Sequence, residues 1–169
     1  MKVWLIVLLA AVMNAGALAQ TVQAPSNALR DARRLAELLT QGDGAGAARM
    51  LHPNALAAMG GSQAAAVVLA AGPQASKEKG ITIVVTVPSP PPARIEKVGQ
   101  RLFAIVKTRT WITGSTGSAD LNGFWLGVSD DAGVHWRFVV FQDVANAHED
   151  AQALFPEGTG ALAFPTNPD

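Results

Sequence analysis

The spacing of apolar residues changes once along this chain, near residue 80, and the change limits the folds open to it. In the first part these residues recur at helical intervals, so that Ala28, Leu35 and Leu39 share one face of a first helix. From Ile81 onward they alternate or form β-branched runs that are typical of strands. Helices followed by strands predict an α+β fold in which the N-terminal helices pack on one face of an antiparallel sheet.

Capping residues set the predicted limits of the helices. Ser26 or Asn27 begins the first helix, and Gly42 ends it as a left-handed stop. The helix before Gly72-Pro73 is apolar on all sides, which predicts that it is buried. The segments that follow the first helix are residues 44–51, a further turn or two at 54–59, and residues 63–71.

Five strands follow, and alternation divides their side chains between two faces of the sheet. A loose polar loop at residues 114–119 separates the third strand from the fourth. The helix-covered core face is predicted to carry Phe124, Leu126 and Val128 together with Trp136, Phe138 and Val140. The predicted strands are residues 81–87, 93–98, 101–112, 121–128 and 135–142.

The opposite, outer face of the sheet is then a surface of cations beside indoles. Long side chains lying over aromatic rings describe a solvated face, whereas Trp and Arg together are also favoured in interfaces. Both interpretations stay open, and the second predicts a homodimer or another protein partner. The predicted binding residues on this face are Arg109, Trp111, Trp125, His135 and Arg137.

The N-terminal residues predict export. Lys2 precedes a short apolar run, and the small residues of Ala17-Leu18-Ala19 predict cleavage between Ala19 and Gln20. The run is shorter than the ~20 residues that span a bilayer, so no stable membrane anchor is expected after cleavage. With no cysteine, the chain is predicted to be a bacterial periplasmic or secreted protein. The predicted divisions are a signal peptide at 1–19, a disordered mature N-terminus at 20–25, a single α+β domain at 26–158 and a coil tail at 159–169.

Charge and motif content exclude several function classes. The predicted mature chain has 12 basic against 13 acidic residues, because Lys2 is the one charge of the leader, so nucleic acid is not an expected partner. The three histidines are not spaced as metal ligands, and no phosphate loop or dinucleotide fingerprint occurs. No metal, cofactor or catalytic constellation is therefore predicted.

The stretch SDDAGVHW at residues 129–136 fits the Asp-box pattern known from sialidases and other β-propellers. A propeller needs several four-stranded blades of about 40 to 50 residues each, which the chain is too short to supply. Short polar side chains accept hydrogen bonds from turn amides, and glycine adopts positive φ without steric cost. The pattern therefore predicts a structural turn formed by Ser129, Asp131, Gly133 and Trp136.

Several segments resemble the nuclear transport factor 2-like (cystatin-like) superfamily. The opening LAELLTQGDGAGAARMLHP resembles its helices, and VGQRLFAIVKTRT, GFWLGVSDDAGVHWRFVVFQD and ALFPEG resemble an uncharacterised group of exported bacterial proteins within it. The resemblance implies a long helix and two short ones that close a cone-like roll over a curved antiparallel sheet. The superfamily contains isomerases, dehydratases and many non-catalytic binding domains, so the fold does not fix the activity.

These observations favour an exported, non-catalytic binding or assembly module, including one that dimerises through the outer sheet face. The alternative is a small-molecule isomerase or hydrolase that acts in a pocket of the cone. Such an enzyme needs a titratable group that projects inward. The candidates for that group are Asp43, His52 and Asp120.

Overall fold

The structure, a computed structural model, describes residues 23–90, 95–141, 145–159 and 162–165. The predicted signal peptide and its cleavage site lie outside these residues. Four helices come first: α1 over residues 23–41, α2 over Gly44–Met50, α3 over Pro53–Ala58 and α4 over Ser62–Glu78. The strands and the last helix follow: β1 Thr82–Thr86, β2 Ile95–Val98, β3 Arg101–Gly114, β4 Gly117–Ser129, β5 Arg137–Val140 and α5 Ala147–Leu154.

The five strands form one antiparallel sheet around the long hairpin of β3 and β4. Strand β1 pairs with the C-terminal half of β3 and β2 with its N-terminal end, so both lie along the same edge of β3. Strand β5 pairs with β4 over residues 125–128. The sheet is strongly curled into a half-barrel, and the predicted α+β class with N-terminal helices on a curved antiparallel sheet is confirmed.

One face of the sheet, the α1 face, packs against the N-terminal helices. Trp125 and Phe138 meet there edge to face, with ring centroids 6.1 Å apart. Alanines along α1 allow the helix to lie close to these large rings. The buried cluster on this face includes Ala28, Ala32 and Leu35 of α1, Ala47 of α2, and Ala104, Val106, Trp125, Trp136 and Phe138 of the sheet region.

The other face, the α5 face, is also covered at the same end of the strands. Phe103 and Phe155 pack edge to face at 5.5 Å, and both are at most 2% exposed. Helix α5 and the segment after it therefore bury side chains that would otherwise face water. The cluster on this face consists of Ala55, Phe103, Leu126, Val128, Val139, Ala151, Phe155 and Leu162.

The predicted division of the strands between core face and outer face is wrong. Leu126 stands opposite Val139, and Val128 stands opposite Arg137, so the Phe124 set shares a face with Arg137. The Trp136, Phe138 and Val140 set lies on the other face, with Trp125. Alternation gives the relation between neighbours on one strand, but a one-residue difference in register between strands exchanges the faces.

The predicted end and burial of the fourth helix are also corrected. Helix α4 continues through Gly72 and Pro73 to Glu78. Because Gly72 has no Cβ, it avoids the clash between a proline ring and the Cβ of the preceding residue in a helix. Val67 and Val68 are 66% and 51% exposed, and Ala65 is the one buried residue of α4. The helix packs along one side, where a Cβ on Gly44 of α2 would come within 2.0 Å of the Ala66 carbonyl oxygen.

The chain is more ordered at three places than the sequence predicts. Residues 117–119, predicted as loop, belong to β4, and only a turn at Ser115-Thr116 joins β3 to it. Residues 23–25, predicted as disordered, are helical, and Ala24 is 1% exposed because it packs under the turn at Gly133. In the predicted coil tail, Leu162 belongs to the α5-face cluster.

None of the described helices, which lie within residues 23–90 and 145–159, is long and apolar enough to cross a bilayer. The two longest, α1 and α4, cover residues 23–41 and Ser62–Glu78. A bilayer span needs about 20 predominantly apolar residues.

Candidate interaction surface

The five residues predicted to form an outer binding face do not share one face. Arg109, Trp111 and Arg137 lie on the α5 face, as their register partners Asn122, Asp120 and Val128 show. Trp125 lies on the α1 face and is 5% exposed, so it is a core residue. His135 precedes β5 in the turn, and its side chain is 77% exposed.

Arg137 is exposed, and its guanidinium binds the end of a helix. Its Nη1 donates a hydrogen bond of 2.5 Å to the carbonyl oxygen of Arg49, in the last turn of α2. A cation beside the last carbonyls of a helix satisfies an unpaired acceptor and interacts favourably with the helix dipole. Of the predicted five, Arg109 and Trp111 remain as an exposed pair on the sheet.

The Asp-box residues form a turn held by their own side chains. Ser129 Oγ accepts a hydrogen bond from the Gly133 amide at 2.9 Å and donates one to Asp131 Oδ1 at 2.9 Å. Asp131 in turn accepts from the His135 amide at 2.9 Å, and Asp131 Oδ2 lies 2.7 Å from His135 Nδ1. These bonds lower the pKa of the Asp131 carboxyl against the opposing effect of its burial.

The same turn is docked on helix α1. Asp31 Oδ2 accepts from the Trp136 amide at 2.9 Å, and Asn27 Nδ2 donates to the Gly133 carbonyl at 2.8 Å. Trp136 is 2% exposed, and its Nε1 donates to the same carbonyl at 3.2 Å. Because its polar groups are used internally and its indole is buried, the turn is an architectural element that fixes α1 to the sheet.

The exposed pair lies on the outer hairpin, which we define as residues 109–122, where β3 and β4 extend beyond the two buried clusters. The Arg109 guanidinium forms two-pronged hydrogen bonds with Asp120 and lies 4.4 Å above the centre of the Trp111 ring. The ion pair lowers the pKa of the Asp120 carboxyl and raises that of the Arg109 guanidinium. Trp111 is 42% exposed on the α5 face, and Leu121 is 52% exposed and points to the other face.

The outer hairpin also presents an open main-chain edge. Strand β5 pairs with residues 125–128 of β4 only, whereas residues 117–122 of β4 are all exposed. Among the described residues, none forms a strand ladder with this part of β4 on the side away from β3. The main-chain groups of residues 117–122 that point away from β3, which we call the β4 edge, therefore have no strand partner among the described residues.

The three residues considered for an enzyme lie in unrelated surroundings. Asp43 caps α2, with its Oδ1 accepting from the Gly46 amide at 2.8 Å. Asp120 is in the exposed ion pair of the outer hairpin. His52 is 3% exposed and packs edge-on against Phe155, with ring centroids 4.9 Å apart. The arrangement brings no two of them together as an acid–base pair.

His52 is held as a neutral imidazole. Its Nδ1 accepts from the Asn54 amide at 3.2 Å, and its Nε2 lies 3.7 Å from Asp130 Oδ2. Burial lowers the pKa of His52, and the nearby Arg101 and Arg137 add to that effect while Asp130 opposes it. Asp130 is itself bound by Arg101 Nε at 2.8 Å, so its charge is largely compensated.

A groove beside the end of the first helix does not supply a catalytic acid or base either. It has a volume of about 490 Å³ and lies between the end of α1, α4 and β1. Lys77 is the one ionisable residue among those that line it. Across the four described ranges, no group of three His, Cys, Asp or Glu side chains is placed to hold a metal ion.

Comparison with protein-family models gives no match for the chain, and comparison with curated proteins gives none either. Two features are distinguished by the chain's own geometry, namely the docked turn and the outer hairpin. Of these two, the outer hairpin is the one that offers solvent both apolar side chains and unpaired main-chain groups.

Replacing Ser129 with alanine is expected to destabilise the fold. The change leaves the buried Gly133 amide without an acceptor, which costs about 1–3 kcal/mol in the free energy of unfolding. Ser118→Ala is the matched control, since Ser118 is an exposed serine of the same strand and should cost no more than about 0.5 kcal/mol. Urea unfolding measures both, and equal midpoints for the two variants would show that the turn does not depend on Ser129.

The buried imidazole of His52 is expected to lower the stability of the fold as the pH falls below 6.5. Its folded pKa lies below the unfolded value of 6.5, so the unfolded chain takes up a proton that the folded chain does not. The contribution of His52 is complete above pH 6.5 and is lost as the pH falls through the folded pKa. His52→Asn keeps an acceptor for the Asn54 amide but does not titrate, so its free energy of unfolding should fall less steeply below pH 6.5. Identical slopes in urea unfolding would contradict the effect.

Proposed function

We propose that the chain is an exported, non-catalytic binding or assembly module that contacts its partner through the outer hairpin. The observation that carries this proposal is the contrast along β3 and β4. At one end both faces of these strands are packed with apolar side chains. At the other end Trp111, Leu121 and the β4 edge are exposed.

The filled interior supports a non-catalytic function. Both described clusters under the helices are apolar, and the buried polar side chains are His52, Thr108, Ser129 and Thr159. Ser129 and Thr159 are used in hydrogen bonds within their own turns, and His52 caps α3. Catalysis by a general acid or base needs such a group within reach of a substrate.

The exposed groups of the outer hairpin support a protein partner. An indole with a guanidinium stacked on it is a rigid, amphipathic contact of the type that dominates binding energy in interfaces. An open strand edge accepts an extended segment by main-chain hydrogen bonds, while side chains on alternate faces provide specificity. The valines of α4 are also exposed, but that helix offers no main-chain groups beside them.

Membership of the nuclear transport factor 2-like superfamily is part of the proposal. It is supported by one long helix and two short ones packed on a curled antiparallel sheet. The position of α4 before the first strand departs from the usual order of that superfamily. Export is supported by the leader-like residues 1–19, and a mature chain that begins at Gln20 is the expected product.

Site-specific photo-crosslinking in cells that export the full chain tests the proposed surface. A photoreactive residue is placed at Thr113 or at Leu121, which are exposed on opposite faces of the outer hairpin. The matched control carries it at Val67, which is 66% exposed on α4. We expect protein adducts from both hairpin positions and at most a tenth as much from Val67.

An adduct with a second copy and an adduct with a different protein both support the proposed function. Adducts from Val67 alone would assign the contact surface to α4 and contradict the proposal. Correctly exported protein with no adduct from any of the three positions would contradict it as well. Export itself is read from the same samples, since the mature N-terminus should begin at Gln20.

A further inference from the structure

The start of helix α3 depends on an unprotonated nitrogen of an imidazole ring. Pro53 occupies the first helical position and has no N–H, so the Asn54 amide is the first donor of the helix that needs an acceptor. That acceptor is Nδ1 of His52, at 3.2 Å. A ring nitrogen that accepts a hydrogen bond carries no proton, so the cap requires the neutral tautomer with its proton on Nε2.

Uptake of a proton from solvent removes this acceptor. An imidazolium ring has an N–H donor on both nitrogens and no acceptor. The Nδ1–H of a charged His52 would face the Asn54 N–H, so two donors would meet where the hydrogen bond now lies. The usual capping side chains, those of Ser, Thr, Asp and Asn, keep an acceptor oxygen whether or not a proton is added. The cap of α3 is therefore sensitive to protonation.

The other ring nitrogen does not offset the loss of this bond. Nε2 is buried and has no hydrogen-bond partner among the described residues. Asp130 Oδ2 is 3.7 Å away, beyond hydrogen-bond range, and Asp130 already accepts from Arg101, which also binds Glu157. Burial disfavours a charge on the ring most, and the positive charges of Arg101 and Arg137 add to that effect. A charged His52 is thus poorly accommodated at its present position.

His52 and the first turn of α3 also hold the end of α5. The His52 ring packs edge-on against Phe155, with ring centroids 4.9 Å apart. Asn54, whose amide is capped by His52, donates from its Nδ2 to the carbonyl oxygen of Leu154 at 2.7 Å. Leu154 is the last residue of α5, so this bond satisfies a carbonyl that has no partner within its own helix. Ala55 is buried with Phe155 in the α5-face cluster.

We propose that protonation of His52 is a conformational switch, which breaks the cap of α3 and releases α5 and the residues after it from the sheet. The α1 face stays packed, because Asp31 and Asn27 dock the Asp-box turn on α1 without using the His52 ring. The inference does not rest on the proposed function, since the outer hairpin lies beyond both buried clusters.

The side chains that the switch uncovers are large and apolar. Phe103 and Phe155 are at most 2% exposed, and Leu126 and Val128 are buried beside them. Imidazole is the side chain whose ordinary pKa, about 6.5, lies between neutral and mildly acidic pH. The chain therefore hides an apolar surface at neutral pH and exposes it in mild acid.

Nitrogen NMR of the imidazole rings tests the starting state of the switch. At about pH 7.5, Nδ1 of His52 should be the unprotonated ring nitrogen and Nε2 the protonated one, because Nδ1 accepts from Asn54. A proton on Nδ1 of the neutral ring would contradict the proposal.

Hydrogen exchange of the predicted mature chain tests the opening. The protection factor of the α5 amides, such as that of Phe155, should fall by up to about thirtyfold between about pH 7.5 and about pH 5, the limit for a ring that takes up a proton with a pKa of 6.5 only when the site is open. At the lower pH, the amides of residues 125–128 should remain at least about tenfold better protected than those of α5. Equal protection of the two groups would show that His52 is coupled to global unfolding alone, and would contradict the switch.

Two histidine variants assign the response. His52→Asn supplies an acceptor that does not titrate, so its α5 protection should change by less than about threefold between the same pH values. His148→Asn is the matched control, because it removes an exposed histidine of α5 itself and should keep the full response. A full response in His52→Asn, or its loss in His148→Asn, would contradict the proposal. The ionisable residues of α5 are all exposed, namely His148, Glu149 and Asp150.

Discussion

Two apolar clusters pack on opposite faces of the same end of β3, β4 and β5, and the rest of the structure depends on this two-sided packing. Trp125 and Phe138 face helix α1, while Leu126 and Val139 face α5. A strand covered on both faces must be apolar on both faces, which explains the unbroken buried run from Phe124 to Val128. The Asp-box turn contributes to the packing on the α1 face, because Asp31 of α1 accepts a hydrogen bond from the Trp136 amide.

The two clusters cover only part of the length of β3 and β4, and the proposed function depends on the part that they leave uncovered. Beyond Phe124 the sheet continues as the outer hairpin, where Arg109 is stacked on Trp111 and the β4 edge is open. Filling both faces at one end leaves no inward-facing acid–base pair among the described residues. It leaves instead a strand pair with exposed aromatic, aliphatic and main-chain groups, which suits recognition of another strand.

The sequence predicts the fold class because the change from helical to alternating spacing is a property of neighbouring residues. It does not predict which side chains share a face across two strands, because that depends on the register between β4 and β5. A shift of one residue in this register would place Phe124, instead of Trp125, on the same face as Phe138. Ser115, Thr116 and Gly117 have the composition of a loop, so the sequence does not predict that the two strands of the hairpin extend as far as Gly114 and Gly117. Arg109 and Trp111 were identified because their alternation on β3 is local, whereas their ion-pair partner Asp120 comes from the register with β4.

Quenching of indole fluorescence tests the central claim, that the sheet is sealed at one end and exposed at the other. The predicted mature chain has three tryptophans, of which Trp111 is 42% exposed and Trp125 and Trp136 are 5% and 2% exposed. Acrylamide should quench one component of the emission efficiently, and Trp111→Phe should abolish that component. Efficient quenching that remains in Trp111→Phe would show that water-soluble molecules reach Trp125 or Trp136, and would contradict the filled interior.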